Sequence, residues 1–297
     1  MRKRRIAVIG LGRLGSRCAA ALRGDEHLAL AGVVRRSPAP LDWLGDVPVV
    51  GHIGELDDIE AALLCLPVEQ VVGVARDLLQ RRIPLVECAR LHGEAFAAHK
   101  AEMQRMAALY RCAAVLGAGA DPGVLSLWRS QLALLLPHGH TSVARHTGSS
   151  LHHSLAAEGI AGVRQALASE LRSPAGALQR YVYVELEPGA VGAAVERAIR
   201  SDPLYLDAPT LVFAVDSVAD LEAARGVLLE RHAGTRDASH AALLVEARFD
   251  EYELACRAML AGARALPGLR HGAYSLLDLP LRELWGELGE QAEREWL

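Results

Sequence analysis

The chain has 297 residues, 51% hydrophobic and 23% charged, an ordinary balance for a globular protein with enough chain for two domains or one large one. A formal charge of −4, with no basic block beyond Met1-Arg-Lys-Arg-Arg5, argues against a nucleic-acid partner. No stretch approaches the ~18 apolar residues of a membrane helix, and the short apolar run after the basic start is broken by Arg13, so neither a membrane span nor a signal peptide is expected.

In chain order, residues 5–10 (RIAVIG) predict a strand and residues 14–23 a helix with small residues on the face that must approach the sheet. A second strand is expected at 28–34 (LALAGVV), a buried one at 61–66 (AALLCL) closed by Pro67, and an amphipathic helix at 69–82. Short strands at 85–88 and 113–116 flank a helix at 94–110. This alternation predicts an α/β architecture, a Rossmann-type doubly wound parallel sheet that binds ligands at the carboxyl ends of its strands. After Ala120-Asp-Pro-Gly123 comes an apolar helix at 124–136, then alternating strands at 181–187 (YVYVELE), 210–215 and 242–249, and helical patterns at 252–266 and 281–297. Such strands predict a second α+β domain with a mixed or antiparallel sheet. The expected division is 1–119 for the nucleotide domain, 120–266 for substrate binding and dimerisation, and 267–297 for a segment returning to the first domain.

Five widely spaced cysteines (Cys18, Cys65, Cys88, Cys112, Cys256), three of them in apolar runs and none in a C-x-x-C, fit reduced thiols and a cytoplasmic location. The close histidine pairs, His138/His140 and His152/His153, lack a matching cysteine cluster, so no metal is expected.

Gly10, Gly12 and Gly15 form a G-x-G-x-x-G between a predicted strand and a predicted helix, the context that makes this motif a dinucleotide site. Gly10 permits the tight turn, Gly12 lets backbone approach the pyrophosphate, and Gly15 lets helix and strand pack closely; the helix starting near Arg13 and Leu14 offers free N–H groups to phosphate. An NAD site places an acid about 20 residues on, at the end of the second strand. Here that strand ends in Arg35, Arg36 and Ser37, two guanidiniums and a hydroxyl suited to a 2′-phosphate, so NADP(H) is the expected cofactor. The alternative is a solvated arginine pair.

Several stretches carry a wider resemblance: IAVIGLGRLG, the LLCLP strand end, AGADPG, HHS followed by GIAGVRQAL, RYVYVELEPGA with VERAIRSDP after it, and DASH at 237–240. In these the chain resembles the meso-diaminopimelate dehydrogenase family of NADPH-dependent amino-acid dehydrogenases. The resemblance implies a Rossmann domain, a substrate and dimerisation domain, a homodimer, and reversible oxidative deamination of an amino acid to a 2-oxo acid and ammonia. It also implies that Cys65, Leu66 and Pro67 border the cofactor and that Asp121 lies near the reacting amine. His153 and Ser154 match its His-Ser element, while Arg180 and His240 match an Arg and a His that hold a distal carboxylate. Asp121 and His153 are the candidate catalytic groups. Read without the resemblance, Asp121 before Pro122 is a helix N-cap with Pro at N1, His240 an interior histidine and Arg180 a surface strand residue.

The departures from that family pattern concern the substrate. An aromatic before the Asp becomes Ala120, and a Tyr-Asp pair becomes Ala89-Arg90. A Gly-Pro-Gly becomes His146-Thr147-Gly148, a Thr becomes Glu170, and an Asn becomes Asp250 or Glu251. Arg for Asp swings the charge by two units where an ammonium should bind, and each unit at ~4 Å is worth roughly 4 kcal/mol at an effective dielectric near 20. Arg90 and Arg145 could bind a carboxylate or phosphate; Glu170 with Glu251 could hold a distal cation, or could cancel Arg180 and leave nothing for a second carboxylate. The expected function is therefore an NADP(H)-dependent amino-acid or amine dehydrogenase on a substrate other than diaminopimelate. The alternatives are a true meso-diaminopimelate dehydrogenase and a non-catalytic NADP-binding protein.

Overall fold

In the computed structural model, which describes residues 2–146, 151–172, 178–218, 221, 225–233, 241–285 and 294, the alternating runs become alternating strands and helices. Strand β1 (Arg4–Ile9) leads to helix α1 (Arg13–Gly24), then β2 (Leu28–Val34), the two-residue β3 (Val49–Val50) and β4 (Ala61–Leu64). Helix α2 (Val68–Gln80), β5 (Leu85–Glu87), helix α3 (Gly93–Tyr110), β6 (Ala113–Leu116) and helix α4 (Val124–Leu135) follow. The four residues of β4 and of β6 are all buried, as continuous apolar runs must be in a sheet covered on both faces.

The middle of the chain forms β7 (His140–His146), α5 (Leu151–Glu158), β8 (Val163–Arg172), β9 (Leu178–Leu186), α6 (Gly192–Ser201), β10 (Thr210–Ala214), β11 (Arg225–His232) and β12 (Ala242–Phe249). Two three-stranded sheets result. In one, β9 pairs antiparallel with β8 and parallel with β10; in the other, β11 pairs antiparallel with both β7 and β12. Along β9 the alternation sends Arg180, Val182 and Val184 inward, where the valines pack with Val195 and Ile199 of α6. Tyr181 and Tyr183 take the opposite face.

The chain then forms α7 (Glu251–Ala265), β13 (Gly272–Ser275) and α8 (Leu281–Leu284). The rest of the helix expected to 297 lies largely outside the described residues. Strand β13 adds to β6, giving a seven-stranded, all-parallel sheet in the order β13-β6-β5-β4-β1-β2-β3. One face is covered by Cys18, Ala19 and Leu22 of α1 with Met259, Leu260 and Ala263 of α7; the other by Val71, Ala75 and Leu78 of α2 with Met103 and Ala107 of α3. All five cysteines are free thiols. Among the described residues no helix is long and apolar enough to cross a membrane.

Compactness divides the chain at other points than the expected 119/120 and 266/267. One unit comprises Met1–Pro137 and Glu251–Leu297, the other His138–Asp250. Helices α4 and α7 therefore belong with the parallel sheet, because their apolar faces complete its core: Val124 and Leu127 of α4 pack against the same cluster that holds Met259 of α7.

Two carboxylates brace the parallel-sheet unit and contribute to its response to acid. Asp25 accepts the N–H groups of His27 and Leu28 at 2.9 Å each and pairs with Arg264 of α7; Asp278 accepts from Ser275 and pairs with Lys100 of α3. Burial alone would raise both carboxyls, but these donors and cations outweigh it and hold them below their usual range. Their contribution is complete above the unfolded-state value near ~3.9 and is lost as pH falls through the lower folded-state value. Asp25→Asn is expected to lower the thermal midpoint at neutral pH, with the two proteins converging below about pH 4. A deficit that persisted unchanged in acid would count against this account.

Candidate active site

The glycine turn joins β1 to α1 at the carboxyl edge of the sheet. Gly10 has φ +91°, and a Cβ there would stand 2.5 Å from the Cys65 carbonyl oxygen; a Cβ on Gly15 would stand 1.9 Å from that of Gly10. Only glycine allows this approach of helix to strand. Gly12, the α1 N-cap, is exposed, and a Cβ there would meet nothing within 4 Å. Helix α1 has no side-chain cap and no acid in its first turn, which leaves its leading N–H groups to a phosphate. Arg13 is exposed and Leu14 half-buried beside this turn.

Just past β2, Arg35 donates its backbone N–H to Val50 of β3 at 3.0 Å; its side chain is half-exposed, and Arg36 and Ser37 are exposed. Among the described residues neither arginine makes an ion pair. Cys65 donates its N–H to Ile9 at 2.8 Å at the end of β4, followed by half-buried Leu66 and exposed Pro67. These three groups share one edge of the sheet. An open glycine cradle and an uncapped helix start fit a dinucleotide, with Arg35 and Arg36 beside them.

Farther along the same edge, Arg90 follows β5 and pairs through Nη2 with Glu251 at 2.8 Å, with side chains 61% and 18% exposed. Asp121 lies in the loop after β6, its side chain 10% exposed, with Oδ1 3.3 Å from Arg129 Nη1 of α4. The capping reading of Asp121 is not what the structure shows. The Asp121–Pro122 peptide is cis, and the N-cap of α4 is Gly123 at φ +122°, so the helix starts after the turn rather than at Pro122. Ala120 is buried beside it. A cavity of about 280 Å³ opens here, lined by His92, Phe96, Pro122, Ser126 and Arg129 among others.

In the other unit a charged cluster surrounds Arg180, which is 1% exposed and so not a surface strand residue. Its Nε and Nη2 donate to Glu170 Oε1 at 3.0 and 2.8 Å. Its Nη1 and Nη2 donate to the two oxygens of Asp207 at 2.9 and 3.4 Å, and Nη1 also to the Leu204 carbonyl at 3.4 Å. Burial disfavours the charge, but Asp207 and Glu170 outweigh it and raise the guanidinium's affinity for its proton. His153 Nδ1 stands 3.4 Å from the same Glu170 Oε1, and its ring packs edge-on against Tyr205 at 5.4 Å. Burial, with the Asp202 carboxylate, pushes the Tyr205 phenol up to about 12. Ser154 is buried and accepts the Ala168 N–H at 2.9 Å.

The structure thus gathers the cofactor residues on one edge, pairs Arg90 with Glu251, and gathers His153, Glu170 and Arg180. His146 ends β7, opposite Gly226. His240, Thr147 and Gly148 lie outside the described residues. Sequence reasoning missed Arg129, Asp207 and Tyr205, none of which stands in a motif or at a periodic spacing from its partner. Among the described residues no group of three or more His, Cys, Asp or Glu side chains could hold a metal ion.

No family model matches the chain. Over 288 residues it is 31% identical to the meso-diaminopimelate D-dehydrogenase of Bacteroides fragilis, covering 96% of both chains. A meso-diaminopimelate dehydrogenase variant from Clostridium tetani, solved with DAP, has a TM-score of 0.65 at 20% identity and covers 99% of this chain and 100% of its own. An engineered D-amino acid dehydrogenase bound to NADP+ gives 0.63 at 21% identity, covering 95% and 96%. The solved structures establish the fold; the identity carried along nearly the full length of the Bacteroides protein establishes that this chain belongs to the meso-diaminopimelate D-dehydrogenase family.

Proposed function

We propose that the protein is an NADP(H)-dependent dehydrogenase that interconverts an amino acid with its 2-oxo acid and ammonia, and that its substrate has no distal carboxylate. The observation that carries the substrate reading is the commitment of Arg180. A guanidinium has five N–H donors, and the five contacts to Glu170, Asp207 and Leu204 use them all. With one arginine against two carboxylates, the cluster repels a further anion and suits a neutral or cationic side chain.

When bound, the nicotinamide supplies the hydride acceptor for deamination. Gly10, Gly12 and Gly15 with the start of α1 would hold the dinucleotide's pyrophosphate, and Arg35, Arg36 and Ser37 would hold the 2′-phosphate that distinguishes NADP from NAD. Asp121, with Arg129 as countercharge, takes the proton from the substrate ammonium, and His153 is a second acid–base group. Glu251 returns one of the two charge units that Arg90 adds near the amine end, so an ammonium is not repelled by an unanswered cation. The half-exposed face of β9 and β10, where Phe213 stacks on Tyr181 and Tyr183 at 6.3 and 5.6 Å, supports association as a homodimer, and the free thiols support a cytoplasmic location.

A panel of 2-oxo acids with ammonia and NADPH, followed by the absorbance of the reduced cofactor, tests the reading. Oxo acids with neutral or cationic side chains are expected to exceed dicarboxylic ones by at least about tenfold in kcat/KM. Preferred turnover of diaminopimelate would overturn the substrate part. Tight NADPH binding with no turnover across the panel would overturn the enzymatic part.

A further inference from the structure

Glu87 closes β5 and is 0% exposed, an expensive place for a carboxylate unless its oxygens are satisfied. They are. Oε1 accepts the Gly117 N–H at 2.9 Å and Oε2 accepts the Ala89 N–H, while the Glu87 carbonyl accepts the Ala118 N–H at 2.8 Å. Behind it, on α3, His99 is buried with Nε2 3.4 Å from Oε1, at ion-pair distance. The residue that follows, Cys88, has its thiol pushed up to about 12 by burial and by the Glu87 charge.

These bonds fall at two informative positions. Ala89 immediately precedes Arg90, and Gly117 opens the loop that reaches Asp121. One carboxylate therefore spans the first turns of both loops that carry the charged groups at the substrate end of the sheet. We propose that Glu87, backed by His99, is a positioning residue that fixes Arg90 and Asp121 relative to each other. The proposal rests on the reading of Asp121 as the proton-handling group. It assigns Glu87 no contact with substrate. Its part is the geometry of the groups that make that contact, and such geometry is worth large factors in rate.

The test is Glu87→Gln, which keeps the volume but turns an NH2 group toward a backbone N–H, donor against donor. In the amination direction kcat is expected to fall about 100-fold. KM for NADPH should stay within about twofold, because the glycine turn and Arg35–Arg36 stand on β1 and β2. Hydrogen exchange should quicken in peptides spanning 88–92 and 117–123 and stay unchanged in 5–34. His99→Gln, which leaves both Glu87 bonds in place, should give a smaller loss with the same pattern. Wild-type kcat in Glu87→Gln, unchanged exchange in both loops, or acceleration spread over the whole unit would overturn the proposal. If the wild-type protein turns over no oxo acid, the dehydrogenase reading fails, and the exchange pattern still decides whether Glu87 orders the two loops.

Discussion

Replacing Arg35 and Arg36 together by alanine is expected to raise KM for NADPH about 100-fold while leaving that for NADH within about twofold. A guanidinium–phosphate bond is a charge-assisted pair worth roughly 1.5–3 kcal/mol when sheltered. Arg35 is half-exposed and Arg36 exposed, so the lower end applies and the pair together accounts for about two decades. The backbone bond from Arg35 to Val50 survives the substitution, and neither side chain serves another ion pair among the described residues, so the fold should be untouched. Arg35→Asp should go further, since a carboxylate at the end of β2 can accept from the ribose 2′-hydroxyl and shift preference toward NADH. Unchanged NADPH affinity in both variants, by steady-state kinetics and by titration, would refute the 2′-phosphate assignment.

Glu170→Thr should release the Arg180 cluster from its present charge balance. The shorter side chain frees the Arg180 Nε and one Nη2 proton, and a β-branched residue suits the strand position on β8. Two freed donors on a permanently charged group form a bidentate site for a carboxylate. Dicarboxylic 2-oxo acids are expected to gain about 10- to 100-fold in kcat/KM relative to monocarboxylic ones. The cost is stability, because Arg180 is buried and, among the described residues, would keep Asp207, the Leu204 carbonyl and the Tyr205 ring but lose a carboxylate partner. The informative measurement is the ratio of the two substrate classes in each protein, which does not depend on the fraction folded. An unchanged ratio would mean that Arg180 does not face the substrate.

The elements legible in the sequence were those whose residues answer to one neighbour pattern. LALAGVV, AAVL and ALLVEARF form strands with the expected bounds because an apolar run or strict alternation leaves little choice. Strand β8, VRQALASELR, went unread since its buried positions include Ala166 and Ala168, too small to mark a face, and β13 is only four residues long. The glycine turn was readable because each glycine answers a local steric demand. The charge pairs were not, since Arg90 and Glu251 stand 161 positions apart and no local spacing signals them. Asp121 misled because Asp-Pro before an apolar run has the composition of a cap, while the backbone turns there through Gly123 instead.

The parallel-sheet unit is discontinuous: the chain leaves it after Pro137 and returns at Glu251. During synthesis this imposes an order of events. When β6 has emerged, the strand that will cover it, Gly272–Ser275, has yet to be made, and so has α7, which seals one face. Until more than a hundred intervening residues have followed, the nascent sheet presents a bare row of N–H and C=O groups along β6 beside an uncovered apolar surface. A ribosome-bound intermediate with those two liabilities is a natural client for chaperones, and expression yield should respond to their supply more than the stability of the finished protein would indicate.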